Sequence, residues 1–89
     1  MTQKEWIAEF QDHSIRVTNS WSGGAKLYID GECRDTNSKM FASPSTPALS
    51  ARLEQGKSDS PLVEIFVKAV ITVKAKICVD GKQIAGDVL

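Results

Sequence analysis

From Val63 to Val79 every odd position is apolar (Val63, Ile65, Val67, Ala69, Ile71, Val73, Ala75, Ile77, Val79), while Glu64, Lys68, Thr72, Lys74 and Lys76 fall on even positions. A period of two, carried largely by β-branched residues, predicts extended chain with one buried face. The run is far longer than a typical strand of about 5–6 residues, so a bend or reversal is expected near Lys68 to Thr72, although no glycine or proline marks it. Asp80-Gly81 then precedes Lys82-Gln83-Ile84-Ala85. Asp-Gly suits a type I′ turn, whose two central residues both need positive φ, and it predicts a hairpin there.

The same construction occurs earlier. Ile15 and Val17 alternate with Arg16 and Thr18, a loop follows through Ser22-Gly23-Gly24, and Leu27 and Ile29 lead into Asp30-Gly31. Sliding the chain from Asp30 to Asp80 lays Ala25-Lys26-Leu27-Tyr28-Ile29-Asp30-Gly31 on Ala75-Lys76-Ile77-Cys78-Val79-Asp80-Gly81. Without a gap, Ile15 and Val17 also land on Ile65 and Val67. Two related units, about 10–36 and 60–86, account for this, the alternative being a coincidence of two common hairpins. In that superposition Cys33 falls on Gln83 and Cys78 on Tyr28, so the thiols are not an equivalent pair.

Between the units, Ser43-Pro44-Ser45-Thr46-Pro47 reads as loop, because proline lacks a backbone donor and small hydroxylated residues favour turns. Leu49, Ala51 and Leu53 alternate with polar residues and predict a further strand. A short helix capped by Thr46 and ended by Gly56 is the alternative. Residues 56–61 read as an exposed connection, and Lys4 to Phe10, bearing Trp6 and Phe10, as the first strand. The fold class expected is all-β: an antiparallel β-sandwich or compact barrel of about seven or eight strands, in two pseudo-symmetric halves of a single domain spanning 1–89.

Charge narrows the choice of partners. Eleven basic residues balance 11 acidic ones in a chain of 89. Nonspecific nucleic-acid affinity needs a basic surface, so no nucleic-acid partner is expected. The amino terminus is polar and no secretory signal is visible, while Glu64, Lys68, Lys74 and Lys76 interrupt the most apolar stretch, so neither export nor a membrane span is expected. A cytoplasmic setting follows, in which Cys33 and Cys78 are free thiols.

Candidate chemistry is sparse. His13 is the sole histidine, and no nucleophile elbow surrounds a serine or cysteine that could join it, so it reads as a polar residue at the start of a strand. His13, Cys33 and Cys78 have no zinc-type spacing. Asp30, Glu32, Asp35 and Asn37 crowd oxygen atoms around a glycine but miss the EF-hand spacing, and Gly23-Gly24 lacks the Lys-Ser/Thr pair of a phosphate loop. No catalytic residue, metal or cofactor is assigned, and an enzyme is not expected. The binding hint lies in the aromatics. If Leu27 and Ile29 face the core, Tyr28 points outward with Lys26, and Phe66, Val70 and Cys78 do likewise, giving each half an outer apolar spot. Trp6 and Phe10, or the loop with Trp21, could instead cover that face. Trp21, Tyr28 and Phe66 are the candidate binding residues.

His13, Ser22-Gly23-Gly24, Leu27-Tyr28-Ile29-Asp30-Gly31-Glu32, Met40-Phe41, Val63-Glu64-Ile65 and Val79-Asp80-Gly81-Lys82, taken in order, resemble the Fas apoptotic inhibitory molecule family over most of the chain. A gap in the first unit and the Ser/Pro-rich segment after Met40-Phe41 depart from that pattern. The resemblance implies a compact, non-catalytic all-β domain of two similar halves acting through protein contacts. Docking through a strand edge or the Tyr28/Phe66 face is the expected mechanism, with a protein partner or a second copy as occupant. A small-ligand carrier with Trp6, Trp21 or Tyr28 stacked on its cargo is the alternative.

Overall fold

The structure, a computed structural model, describes residues 3–20, 24–38, 45–69 and 73–89. Eight strands and no helix occur among them: β1 (Gln3–Phe10), β2 (His13–Ser20), β3 (Gly24–Ile29), β4 (Glu32–Asn37), β5 (Leu49–Arg52), β6 (Leu62–Ala69), β7 (Val73–Val79) and β8 (Lys82–Gly86). They form two antiparallel four-stranded meanders, β1-β2-β3-β4 and β5-β6-β7-β8. The two sheets stay separate rather than joining edge to edge, so the fold is a sandwich and not a closed barrel. The segment at Leu49 is strand, as its alternation predicts, and not helix. No helix of the described residues is long and apolar enough to cross a membrane.

Alternation decides the core. Ile15, Val17, Leu27 and Ile29 from the first sheet meet Leu49, Val63, Ile65, Ala75, Ile77 and Val79 from the second in one buried cluster. Trp6 and Phe10 pack partly buried against the same cluster. They therefore line the inner face and do not cover the outer aromatics, because the parity that buries Trp6 turns Ile7 outward.

The predicted turns form as type I′ reversals, with φ of 52° and 82° at Asp30 and Gly31 and 51° and 84° at Asp80 and Gly81. Each aspartate also ties its hairpin to the neighbouring strand. Asp30 Oδ1 accepts the Ser14 N–H at 2.9 Å and Asp80 Oδ1 the Leu62 N–H at 2.9 Å.

The two units share a layout but not a gapless register. Ile15 pairs with Ile29, and Val63 with Val79. Relative to the turn aspartates, Val63 thus stands where Ile15 does, and Ile65 where Val17 does, two residues from the ungapped superposition. The difference arises at the hairpin tip, where Ser20↔Gly24 closes the first ladder but Ala69↔Val73 adds a pair beyond Lys68↔Lys74 in the second. An even offset leaves every side chain on its face. The bulges do obey the original shift. Leu27 pairs with Asp35 and Tyr28 with Cys33, leaving Arg34 extra, while Ile77 pairs with Ala85 and Cys78 with Gln83, leaving Ile84 extra.

Side chains bridge the two open sides of the sandwich. On one, Asp35 Oδ2 accepts the Ser50 N–H at 2.9 Å, Asn37 Nδ2 donates to Ala48 O at 2.9 Å, and Arg34 Nη2 donates to Arg52 O at 2.7 Å. On the other, Asp87 Oδ2 accepts both Trp6 Nε1–H at 3.1 Å and the Ala75 N–H at 3.0 Å, and Lys4 Nζ donates to Val73 O at 2.6 Å. The bonds to Ser50 N–H and Arg52 O occupy backbone groups of β5 that a bare edge would offer to another chain. In the connection at 56–61, Ser60 is buried, its Oγ accepting the Glu54 N–H. The predicted reversal falls between Ala69 and Val73, and its residues, with Ser22, Gly23, Met40, Phe41, Ser43 and Pro44, lie outside the described set.

Candidate functional site

Both inner faces are committed to the core, and the candidate residues Tyr28 and Phe66 lie on the outer faces of the sheets. On the first sheet, β1, β2 and β3 bring Ile7, Arg16 and Tyr28 side by side, since Ile7 pairs with Arg16 and Arg16 with Tyr28. Arg16 is held from two directions. Its Nε donates to the Glu5 carboxylate, and its guanidinium carbon sits 5.1 Å from the Tyr28 ring centroid. Cys33 continues the row on β4 as an exposed free thiol. Ile7 is 61% exposed, a large apolar side chain left in solvent beside the Arg16–Tyr28 contact.

The second sheet repeats the device with different residues. Phe66 on β6 pairs with Lys76 on β7, whose ammonium lies 5.1 Å from the ring centroid. One step along the hairpin, Lys68 pairs with Lys74. One step the other way, Glu64 pairs with Cys78. Cys78 has outward parity but is buried, so it forms no outer apolar spot. Its strand neighbours Glu64 and Gln83 are both longer and flank it. Burial pushes the Cys78 thiol above its ordinary pKa, with Lys76 pulling down and Glu64 pushing up as lesser influences.

Of the residues singled out from the sequence, Tyr28 and Phe66 are both half-buried on outer faces, each under its own cation. They belong to different sheets and point away from each other, so the structure does not bring them into one docking face. Trp21 and Val70 lie outside the described residues. Trp6 and Tyr28 occupy opposite faces of the first sheet and do not line a common pocket. Ile7 was not singled out, although the alternation that turns Trp6 inward carries the signal.

The remaining polar chemistry is structural in geometry. His13 Nδ1 lies 2.6 Å from Asp30 Oδ2. Asp30 is held below its ordinary pKa first by the Ser14 N–H and then by His13. Asp35, whose carboxylate also accepts the Thr36 N–H at 2.9 Å, is turned toward backbone donors and not toward Asp30. Among the described residues no three His, Cys, Asp or Glu side chains converge as metal ligands. Comparison with models of known protein families, with curated proteins and with solved structures gives no match to this chain.

Proposed function

We propose that this chain is a non-catalytic protein-contact domain that docks a folded partner on the outer face of its first sheet, around Ile7, Arg16 and Tyr28. The observation that carries the reading is the exposure of Ile7 next to Arg16 and Tyr28, which the Glu5 ion pair and the ring contact hold in place. An exposed apolar side chain beside an Arg–Tyr contact has the composition of an interface centre, where aromatic residues and arginine are enriched. The resemblance to the Fas apoptotic inhibitory molecule family agrees with a protein-contact role. The unpaired thiols support a reducing, cytoplasmic setting.

The carrier alternative is less well supported, because Tyr28 faces away from the core and the Trp6 indole N–H is already bonded to Asp87. Affinity capture with wild type, Ile7→Lys and Tyr28→Ser tests the contact reading. A partner, or a second copy of the chain, that wild type retains and both folded variants lose supports it. An identical bound set on all three overturns it.

A further inference from the structure

The second sheet carries a cluster of charge that the first-sheet contact leaves unused. Lys68 and Lys74 are direct neighbours on β6 and β7, and Lys76 lies one step further on the same outer face. Like charges set directly opposite each other across strands are destabilising. No carboxylate among the described residues pairs with any of the three. A fourth ammonium is drawn to the same end of the sandwich, where Lys4 Nζ donates to Val73 O. The arrangement therefore concentrates positive charge at one hairpin in a chain whose formal charge is zero.

The pattern along the hairpin has a direction. Lys68/Lys74 comes first, then Phe66/Lys76, then Glu64/Cys78, so positive charge gives way to an aromatic–cation pair and then to a carboxylate. Strand residues two apart are separated by ~6.7 Å, which is also the repeat of alternate side chains in an extended peptide. A polypeptide with acidic side chains at two alternate positions and a basic residue at the next would meet Lys74, Lys76 and Glu64 in turn. A nucleic acid presents phosphate at every step and would be repelled at Glu64.

We propose that the outer face of the β6–β7 hairpin, with Lys68, Lys74 and Lys76 around Phe66, binds an extended acidic peptide segment of a partner. Lysine ammoniums supply long-range attraction and register, and the Phe66 ring supplies an apolar platform. This site shares with the first-sheet contact only the idea that the partner is a protein, and it uses the opposite surface.

The test is fluorescence anisotropy with a labelled peptide carrying glutamates at two alternate positions and a lysine two residues further on. The expected result is saturable binding that weakens with salt, falls at least tenfold when both glutamates become glutamine, and falls at least tenfold in Lys74→Glu. That variant places opposite charges at positions 68 and 74, so its fold is retained, and circular dichroism checks this. Lys68→Gln/Lys74→Gln provides a second loss of binding without charge reversal. Equal affinity for the glutamine peptide, unchanged affinity in both variants, or tighter binding of a single-stranded oligonucleotide of matching length would overturn the proposal. Ile7→Lys leaves peptide binding intact if the two surfaces are independent, so failure here is separable from failure of the first-sheet contact.

Discussion

Cys33 and Cys78 differ only in where the sheets put them, and their chemistry diverges accordingly. Cys33 is exposed on β4, while Cys78 is buried with its thiol pKa raised. Since the thiolate is the nucleophile, one thiol should react quickly with an alkylating reagent under native conditions and the other only after unfolding. Mass spectrometry of the labelled peptides reads this directly, and Cys78 labelled as fast as Cys33 would contradict its burial. Asp30 makes a prediction in pH. Its folded pKa lies below the ordinary 3.8, so its contribution to stability is complete above that value and is lost as pH falls through the lower, folded one. Urea midpoints measured from pH 5 down to pH 2 should fall more steeply for wild type than for Asp30→Asn, and equal slopes would deny the linkage. At this scale the sequence was only partly legible. Tyr28 and Phe66 took the sides their parity assigned, whereas Cys78 is buried despite its outward parity, between Glu64 and Gln83 in two strand pairings that a linear pattern does not contain.

At the scale of the strand, alternation and the two Asp-Gly turns located most of the elements, whereas the β1–β2 turn, with φ of 50° and 64° at Gln11 and Asp12, carries no glycine to mark it. Registers and bulges left no mark either. The two-residue offset between the units is even and so invisible to a pattern of period two, and Arg34 and Ile84 look like any other residue until the pairing skips them. The close strand approach at β8 also has a single-residue test. Gly86 has φ of 97°, and a Cβ there would run into Ala75 O and Lys76 Cα of β7, whereas a Cβ at Gly81 meets open space. Backbone strain and overpacking together predict a loss of about 2–3 kcal/mol for Gly86→Ala, and roughly 10–20 °C in Tm. Gly81→Ala, with only the positive φ to oppose it, should cost about 1 kcal/mol. Thermal denaturation of the two variants decides, and equal losses would mean that strand approach at Gly86 is not close.

Over the whole molecule, two meanders turn their apolar faces toward each other and bridge their open sides with Asp35, Asn37 and Asp87. Among the described residues, two outward surfaces of different character lie outside this core, one carrying Ile7, Arg16 and Tyr28, the other Phe66 and its lysines. A neutral total charge concealed the second, since composition averages over a hairpin where three lysines share one face. Isotope-labelled methyl and amide spectra recorded while titrating in the partner retained by affinity capture test the account most directly. Perturbations at Ile7, Arg16 and Tyr28, with the methyls of Leu27, Ile65 and Ile77 unmoved, are the predicted result. Shifts concentrated on those inner methyls would place the ligand between the sheets and contradict recognition by the outer face.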